Sequence, residues 1–392
     1  MKSEWKKLTV GDLCSHVYSG ATPNTKHEEY YIGGVIPWLN TSEIKFNRIY
    51  STGKYITELG LSSSSAKWVP VNAVIVAMYG ATAAKVSFSK IPLTTNQACC
   101  NLIINNNKAD YRYVYYWLYS KYIELQSLAN GGAQQNLNAR QIKEFPIIVP
   151  PFDIQQKIAG ILSLLDDKIE LNNRINENLE AQAQTIFTQE FLSFDSIPEG
   201  WQESSLLEIA NYLNGLAMQK NRPKKDEQGL PVLKIKELRQ GFCDSNSELC
   251  SPSIRQDYII HDGDVIFSWS GSLLGDFWCG GVCGLNQHLF KVTSSIYDKW
   301  FYYVWTKHHL QKFATIAADM ATTMGHIKRE ELSKAEVLIP TQSDYERIGA
   351  LLSPIYELII SNRIENRKLA EIRDTLLPRL MSGELDVSDL DI

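Results

Sequence analysis

The chain has 392 residues, of which 44% are hydrophobic and 21% charged, and its formal net charge is −5. This composition is typical of a globular protein with more than one domain, and its net negative charge excludes binding of nucleic acid by overall charge alone. We expect a cytoplasmic protein with reduced thiols, because we find no signal peptide or membrane span and the seven cysteines have no regular spacing.

The first predicted domain, residues 1–150, is mixed α/β. Short apolar runs at 69–80 and 98–104 are typical of strands, and an aromatic segment at 111–129 is typical of a helix. The domain carries 15 basic and 9 acidic residues, a balance of +6. It is the one basic globular segment of the sequence.

A long helix is predicted over about 153–192, within the segment 151–194. Pro150 and Pro151 come directly before it, where proline is tolerated, and Asp153 is a suitable N-cap. The periodicity then continues without a break to the end of the segment.

A second mixed domain is predicted over residues 195–340, with strand-like runs at 262–271 and 288–292 and a helix at 299–317. It carries 15 basic and 18 acidic residues, a balance of −3. A second long helix, over about 344–381, begins the last segment, 341–392, with Ser343 or Asp344 as its N-cap.

The two halves of the sequence repeat each other at an offset of about 190 residues. TNQ at 95–97 returns as LNQ at 285–287, and YSG at 18–20 returns as LNG at 213–215. A duplicated chain of this kind predicts a molecule with pseudo-twofold symmetry.

The two long helices carry matching apolar seams with 4-3-4-3 spacing, and each seam has two asparagines at equivalent positions. This pattern predicts that the helices pair as a coiled coil whose asparagines fix the register, although packing of each helix on its own domain remains an alternative. The seam residues are Ile158, Leu162, Leu165, Ile169, Asn172, Asn176 and Leu179, then Ile348, Leu352, Ile355, Ile359, Asn362, Asn366 and Leu369.

The link between the first helix and the second domain, residues 191–201, is too short to run back along a helix of about 60 Å. Antiparallel pairing removes that difficulty. The predicted fold is therefore α+β, with two mixed α/β domains at opposite ends of a rod of two long antiparallel helices.

Three segments of the sequence resemble the specificity subunit of type I restriction–modification enzymes. They are WKKLTVGDLCSHVYSGATP at 5–23, residues 131–187, which begin GGAQQNLNARQIKEFP, and RIENRKLAEIRDTLLPRLMSGEL at 363–385. The resemblance implies two target recognition domains that each read half of a bipartite DNA sequence. It also implies that the helices set the half-site spacing and dock two methyltransferase subunits.

The same resemblance implies that restriction and translocase subunits complete the complex. S-adenosylmethionine would then come with the methyltransferases, and ATP and magnesium with the motor subunits. No cofactor, metal or catalytic residue is expected in this chain.

Candidate DNA contacts are polar, aromatic and basic residues of loops and strand ends. Lysine and arginine suit phosphates, while amides and hydroxyls suit base edges. A solvated charged face remains the alternative for the basic run at 220–225, and we favour a structural role for the NQ pairs. The candidates are Thr22, Asn24, Lys26, Arg48, Tyr79, Thr82 and Lys85, then Lys220, Arg222, Lys224, Lys225, Trp269, Ser270 and Ser272.

The sequence patterns that could suggest a catalytic or metal site lack the residues or the spacing that such a site needs. VPPF at 149–152 resembles the motif of amino-methyltransferases, but that chemistry needs a polar residue where Val149 stands. No glycine-rich nucleotide motif follows a strand. The four cysteines from 243 to 283 lack the close pairs of a zinc site, so free thiols are the favoured interpretation.

The sequence therefore predicts a non-catalytic DNA specificity subunit. The alternatives are a coiled-coil scaffold without a DNA role, or a self-contained DNA methyltransferase. Binding of partner proteins without DNA selectivity would favour the first alternative, and methyl transfer by the isolated chain would favour the second.

Overall fold

The computed structural model describes residues 4–129, 136–319 and 327–390. The chain forms two compact units: unit 1 comprises Met1–Asp167 and Glu371–Ile392, and unit 2 comprises Lys168–Ala370. The globular part of each unit, residues 4–149 or 202–339, is called head 1 or head 2 below. Among the described residues, every helix is too short or too polar for a membrane span.

Head 1 is mixed α/β, as predicted. Its helices are α1 (Glu58–Ser62), α2 (Tyr111–Ser120), α3 (Tyr122–Ser127) and α4 (Ala139–Glu144). Its strands are β1 (Lys6–Thr9), β2 (Cys14–Ser19), β3 (Ile36–Leu39), β4 (Arg48–Ile49), β5 (Tyr55–Ile56), β6 (Val74–Ala77), β7 (Val86–Ser89), β8 (Thr94–Thr95), β9 (Cys99–Ile104) and β10 (Pro146–Val149).

Each head packs on the long helices. The first, α5 (Phe152–Phe187), is continued by a π-helical turn at Thr188–Leu192.

Head 2 has a similar order of elements. Its helices are α6 (Leu206–Ile209), α7 (Ile235–Gln240), α8 (Lys299–Asp319) and α9 (Arg329–Ser333), and α10 (Gln342–Met381) is the second long helix. Its strands are β11 (Gln202–Ser205), β12 (Asn211–Asn214), β13 (Leu230–Leu233), β14 (Leu249–Cys250), β15 (Ile259–Ile260), β16 (Val265–Ser268), β17 (Leu274–Phe277), β18 (Cys283–Leu285), β19 (Leu289–Thr293) and β20 (Glu336–Ile339).

Sheet topology confirms that the sequence repeat is a structural repeat. Head 1 has a sheet of order β2-β9-β6-β7-β4, and head 2 has β12-β19-β16-β17. The second sheets, β5-β3-β8 and β14-β13-β18-β15, share one antiparallel and one parallel pairing around β3 and β13. In each head an antiparallel pair, β1-β10 or β11-β20, joins the first strand to the last.

The two predicted long helices are present, but their starts differ from prediction by one or two residues. Asp153 lies in the first turn of α5 and is not its N-cap. At the start of α10, the hydroxyl of Thr341 accepts the backbone N–H of Asp344 at 3.3 Å, so Thr341 takes the capping role expected of Ser343 or Asp344. Helix α10 also passes through Pro354, which lacks the N–H for one helical hydrogen bond.

The long helices run antiparallel within each unit. In unit 2, Asn176 accepts a hydrogen bond from Asn362 at 2.9 Å, while Glu190, farther along the chain, pairs with Arg347. As residue numbers increase along α5, the residues of α10 that it contacts have decreasing numbers. In unit 1, Asp166 pairs with Arg373 at 2.8 Å, and Lys157, earlier on α5, donates to the carbonyl oxygen of Ser388, beyond the end of α10, at 2.6 Å, so the sense is the same.

The ends of the seam also belong to the cores of the heads. Ile158 and Leu162 are buried in one cluster with Tyr113 and Leu118 of α2 and with Leu377 of α10. Ile348 and Leu352 likewise join Phe187 and Phe301 in the main cluster of unit 2. The helices therefore do both things that the sequence left open: they pair with each other, and they pack on the heads.

Candidate nucleic-acid interface

The repeated YSG/LNG and NQ motifs lie side by side in each head. Gly20 follows β2, and a methyl group at its Cα would collide with the carbonyl oxygen of Thr95. Gly215 follows β12 and approaches the backbone of Asn286 in the same way. Glycine is required at both positions because the two backbones nearly touch. The two motifs thus build one structural feature, which we call the NQ turn.

The asparagines of the NQ turns have the structural role that we favoured for the pairs. Asn96 accepts the backbone N–H of Ala98 at 3.1 Å, and Asn286 accepts that of His288 at 3.3 Å. The glutamines differ, because Gln97 is exposed and Gln287 is partly exposed. The sequence did not separate these two roles.

A loop at the end of the central strand lies against each NQ turn. In head 1, the backbone N–H of Met78 donates to Ala98 at 2.8 Å, and the Met78 carbonyl accepts the N–H of Leu137 at 2.7 Å. In head 2, the carbonyl of Trp269 accepts the N–H of Ile327 at 3.0 Å. Each strand-end loop is therefore fixed to the segment that leads into the long helix. Gln134 and Gln135, whose sequence context suits either a DNA contact or a cap at the junction with the long helix, lie outside the described residues.

Most of the candidate side chains in head 1 are accessible. Asn24, Lys26 and Tyr79 are exposed, while Thr22, Thr82 and Lys85 are partly exposed. Asn24 accepts the backbone N–H of Lys26 at 3.1 Å, which shapes the loop that presents them. The Thr22 hydroxyl donates to the amide oxygen of Gln97, so this loop contacts the NQ turn.

Arg48 has a different role from the predicted one. Its side chain is only 9% exposed and forms an ion pair with Asp167 of α5. It also donates to the carbonyl oxygen of Ser163 at 3.2 Å and lies 5.6 Å from the ring centre of Phe88. These contacts attach head 1 to α5, so we withdraw Arg48 as a DNA contact.

The basic run of head 2 is fully at the surface. Lys220, Arg222, Lys224 and Lys225 are all exposed. Arg222 lies 3.9 Å from Glu248, but in the described part of the chain no carboxylate lies within 4.0 Å of the three lysines.

Two carboxylates near this run, Glu248 and Glu227, accept short hydrogen bonds. Glu248 accepts a hydrogen bond from Lys234 at 2.6 Å, which lowers its pKa. Glu227 accepts the backbone N–H of Lys224 at 3.0 Å, and this bond together with those from Ser251 and Ser253 lowers its pKa. Both carboxylates therefore stay ionised at neutral pH.

The strand-end loop of head 2 offers fewer accessible groups than predicted. Trp269 is partly exposed and donates to Asn214 at 3.0 Å, while Ser272 is exposed. Ser270 is 2% exposed and lies 3.2 Å from His288 Nδ1. Its burial makes Ser270 a structural residue, and its assignment as a DNA contact is withdrawn.

The seam asparagines pair crosswise, as antiparallel helices require. Asn172 donates to Asn366 at 2.9 Å and to Glu365 at 2.7 Å, while Asn362 donates to Asn176 at 2.9 Å. The remaining predicted seam residues are buried or partly buried. Buried amide pairs of this kind fix the register of the paired helices at some cost in stability.

Arginines of α10 fasten each head to the helices. In unit 1, Arg373 donates to Asp166, which also accepts the Tyr116 hydroxyl at 2.6 Å. In unit 2, Arg363 donates to Asp276 of head 2 and to Glu180 of α5, both at 2.7 Å. The same chemistry therefore recurs in both units.

Reactive groups among the described residues are buried or dispersed. No cluster of three or more His, Cys, Asp or Glu side chains suited to a metal occurs in the described ranges. All seven cysteines are free, and burial raises the pKa of Cys14 to about 12. Val149 of the VPPF sequence is buried in β10, opposite Lys6 of β1. The motif is thus a connection between a strand and a helix.

Comparison with known proteins gives one family. The model of the type I restriction modification DNA specificity domain matches the chain twice, over residues 2–181 and 198–373. The MjaIX specificity subunit of a type I restriction enzyme from Methanocaldococcus jannaschii is 28% identical, with 99% of this chain and 95% of that protein aligned. The EcoR124I/EcoR124II specificity subunit from Escherichia coli is 29% identical over 46% of this chain and 44% of that protein.

A solved structure shows the same fold. The type I restriction–modification S subunit from M. genitalium superposes with a TM-score of 0.59 at 16% identity, covering 96% of each chain. The two matches to the family model together include both heads and most of both long helices. The chain therefore belongs to the type I restriction–modification DNA specificity family, as a specificity subunit with two target recognition domains.

Proposed function

We propose that head 1 and head 2 each bind one half of a bipartite DNA sequence, with recognition domains at residues 1–150 and 195–340. The observation that carries this proposal is the duplicated assembly of an NQ turn and a strand-end loop on heads with unlike surfaces. Equivalent frameworks suit equivalent positions on DNA, whereas unlike loops suit different base sequences.

The accessible candidates divide by chemistry. Lys26 and Lys85 of head 1, and the run Lys220, Arg222, Lys224 and Lys225 of head 2, carry positive charge suited to phosphates. Asn24, Thr22, Thr82 and Ser272 have groups that can bond to base edges, while Tyr79 and Trp269 supply aromatic surface.

The chain acts without chemistry of its own in this proposal. The long helices dock two methyltransferase subunits, which supply S-adenosylmethionine, and restriction and translocase subunits supply ATP and magnesium chemistry. The segments 131–150 and 322–340, next to each long helix, are further proposed docking segments. In unit 2, Leu171 of α5 and Leu351 and Leu358 of α10 have exposed side chains, which gives the helices apolar surface for a partner.

Spacing between the half-sites is assigned to α5 and α10. Deleting seven residues within 160–185 together with seven within 350–375 keeps the seam in phase, because one heptad is removed from each helix. We expect a changed spacer and unchanged half-site sequences. Changed half-sites with the same spacer would refute this assignment.

Footprinting of the chain with its methyltransferase partner tests the proposal. Two protected segments separated by an unprotected spacer are expected. The matched variant Lys224→Glu and Lys225→Glu should weaken protection of one segment before the other. A single continuous footprint, or partner binding without DNA selectivity, would overturn the proposal and favour a scaffold.

A further inference from the structure

The backbones of the two NQ turns are held without the amide NH2 groups of their glutamines. The turns are held by Asn96 and Asn286 and by the close approach of Gly20 and Gly215. Gln97 is exposed, and the bond from Thr22 to its amide oxygen leaves the amide NH2 group available. Gln287 is partly exposed; its amide nitrogen lies 3.3 Å from His288 Nε2, which leaves the second N–H of this amide for another acceptor.

Each turn connects to a loop that carries at least one lysine. In head 1, Thr22 contacts Gln97 and begins the loop that carries Lys26. In head 2, the backbone N–H of Gln287 donates to the carbonyl of Leu216 at 2.9 Å, and the chain continues from Leu216 to Lys220. Each glutamine therefore lies next to the start of a loop that is proposed to contact DNA.

We propose that Gln97 and Gln287 donate from their amide NH2 groups to phosphate oxygens of the DNA backbone, one in each half-site. This inference rests on the proposed function. The heads differ in charge, +6 for residues 1–150 and −3 for residues 195–340, yet both place glutamine at this position.

Head 1 and head 2 differ in surface, yet both have a glutamine at this position. A residue common to both heads suits a feature that is common to both half-sites. That feature is the sugar–phosphate backbone, which receives a large share of protein–DNA hydrogen bonds and sets the register of the protein. A glutamine that read a base edge would instead impose adenine on both half-sites at the same position.

The test compares the wild-type chain, Gln97→Ala and Gln287→Ala, each assembled with its methyltransferase partner. Binding to a duplex that contains the methylated motif is measured over a salt series, and the motif is determined for each complex. Each variant should bind about tenfold more weakly, the value expected for one hydrogen bond to a charged acceptor. Both half-sites of the motif should remain unchanged.

Two control variants separate this role from others. Lys224→Ala should reduce the slope of log K against log salt by about 1, whereas the neutral glutamines should leave the slope unchanged. Gln126→Ala, on α3, should change neither affinity nor motif, because this amide bonds to Tyr122 within head 1.

Relaxed specificity at one base position in Gln97→Ala or Gln287→Ala would overturn the backbone assignment. Unchanged affinity would overturn any DNA contact by these residues. Failure of the proposed function is a different result, since the wild-type complex would then give no bipartite motif.

Discussion

Replacing Arg373 with methionine should destabilise unit 1 strongly. Arg373 and Asp166 form a 2.8 Å ion pair with side chains only 14% and 13% exposed. The guanidinium also bonds to the Tyr119 hydroxyl at 3.2 Å and lies 5.4 Å from the centre of that ring. Methionine fills similar space but leaves Asp166 as a buried carboxylate without its cation.

Breaking a buried ion pair from one side costs about 3–5 kcal/mol. The bond from Tyr116 to Asp166 survives, so we expect about 3 kcal/mol, at the lower end of this range. Arg379→Met is the matched control, because Arg379, on the same helix, pairs with Glu384 beyond the helix end at 2.7 Å with side chains 43% and 59% exposed. An exposed pair contributes at most about 1 kcal/mol.

Hydrogen exchange followed by mass spectrometry locates the effect. Peptides from Tyr111–Ser120 should show an opening free energy lowered by about 3 kcal/mol in Arg373→Met and little change in Arg379→Met. Adding Asp166→Asn to Arg373→Met should restore part of the protection, because no buried charge remains and the introduced amide oxygen would still accept from Tyr116. Equal effects of both arginine variants, or a double variant worse than the single, would refute the reasoning.

Three other predictions concern the seam, acid stability and the heads. Asn362→Leu should lower the unfolding free energy by about 1–2 kcal/mol, since it leaves the Asn176 amide oxygen unpaired, and adding Asn176→Leu should restore it in chemical denaturation. Arg347 bonds to both oxygens of Glu190 at 2.8 Å and lowers its pKa, so this contribution is full above the unfolded pKa and is lost as pH falls through the folded value. Arg347→Met should therefore flatten the loss of stability below about pH 4.3, measured by acid titration of the fold. Exchanging residues 1–130 for those of another family member should change one half of the methylated motif and leave the other intact.

Periodic features of this protein could be predicted from its sequence. The seam repeats over several heptads, so the spacing alone was enough to place Asn172 and Asn176 at buried positions. The start of α10 was harder, because Thr341, Ser343 and Asp344 all suit a helix N-terminus. Cap geometry depends on the backbone angles of a single residue, which periodicity does not report.

The functions of single loop residues were harder to predict. Arg48 pairs with Asp167, which is 119 positions away in the sequence. The residues next to Arg48 in the sequence do not indicate this pairing. Ser270 aligns with the head 1 loop but is buried against His288. Exposure of a loop side chain depends on long-range packing. The exposure of the basic run near Lys224 was easier to predict, because so many adjacent charges cannot all be buried.

Methylation profiling of DNA from cells that carry this chain with its methyltransferase partner tests bipartite recognition most directly. We expect one discontinuous motif, with two different half-sites separated by a spacer of fixed length. A continuous motif, or methylation without sequence preference, would contradict the assignment of one half-site to each head.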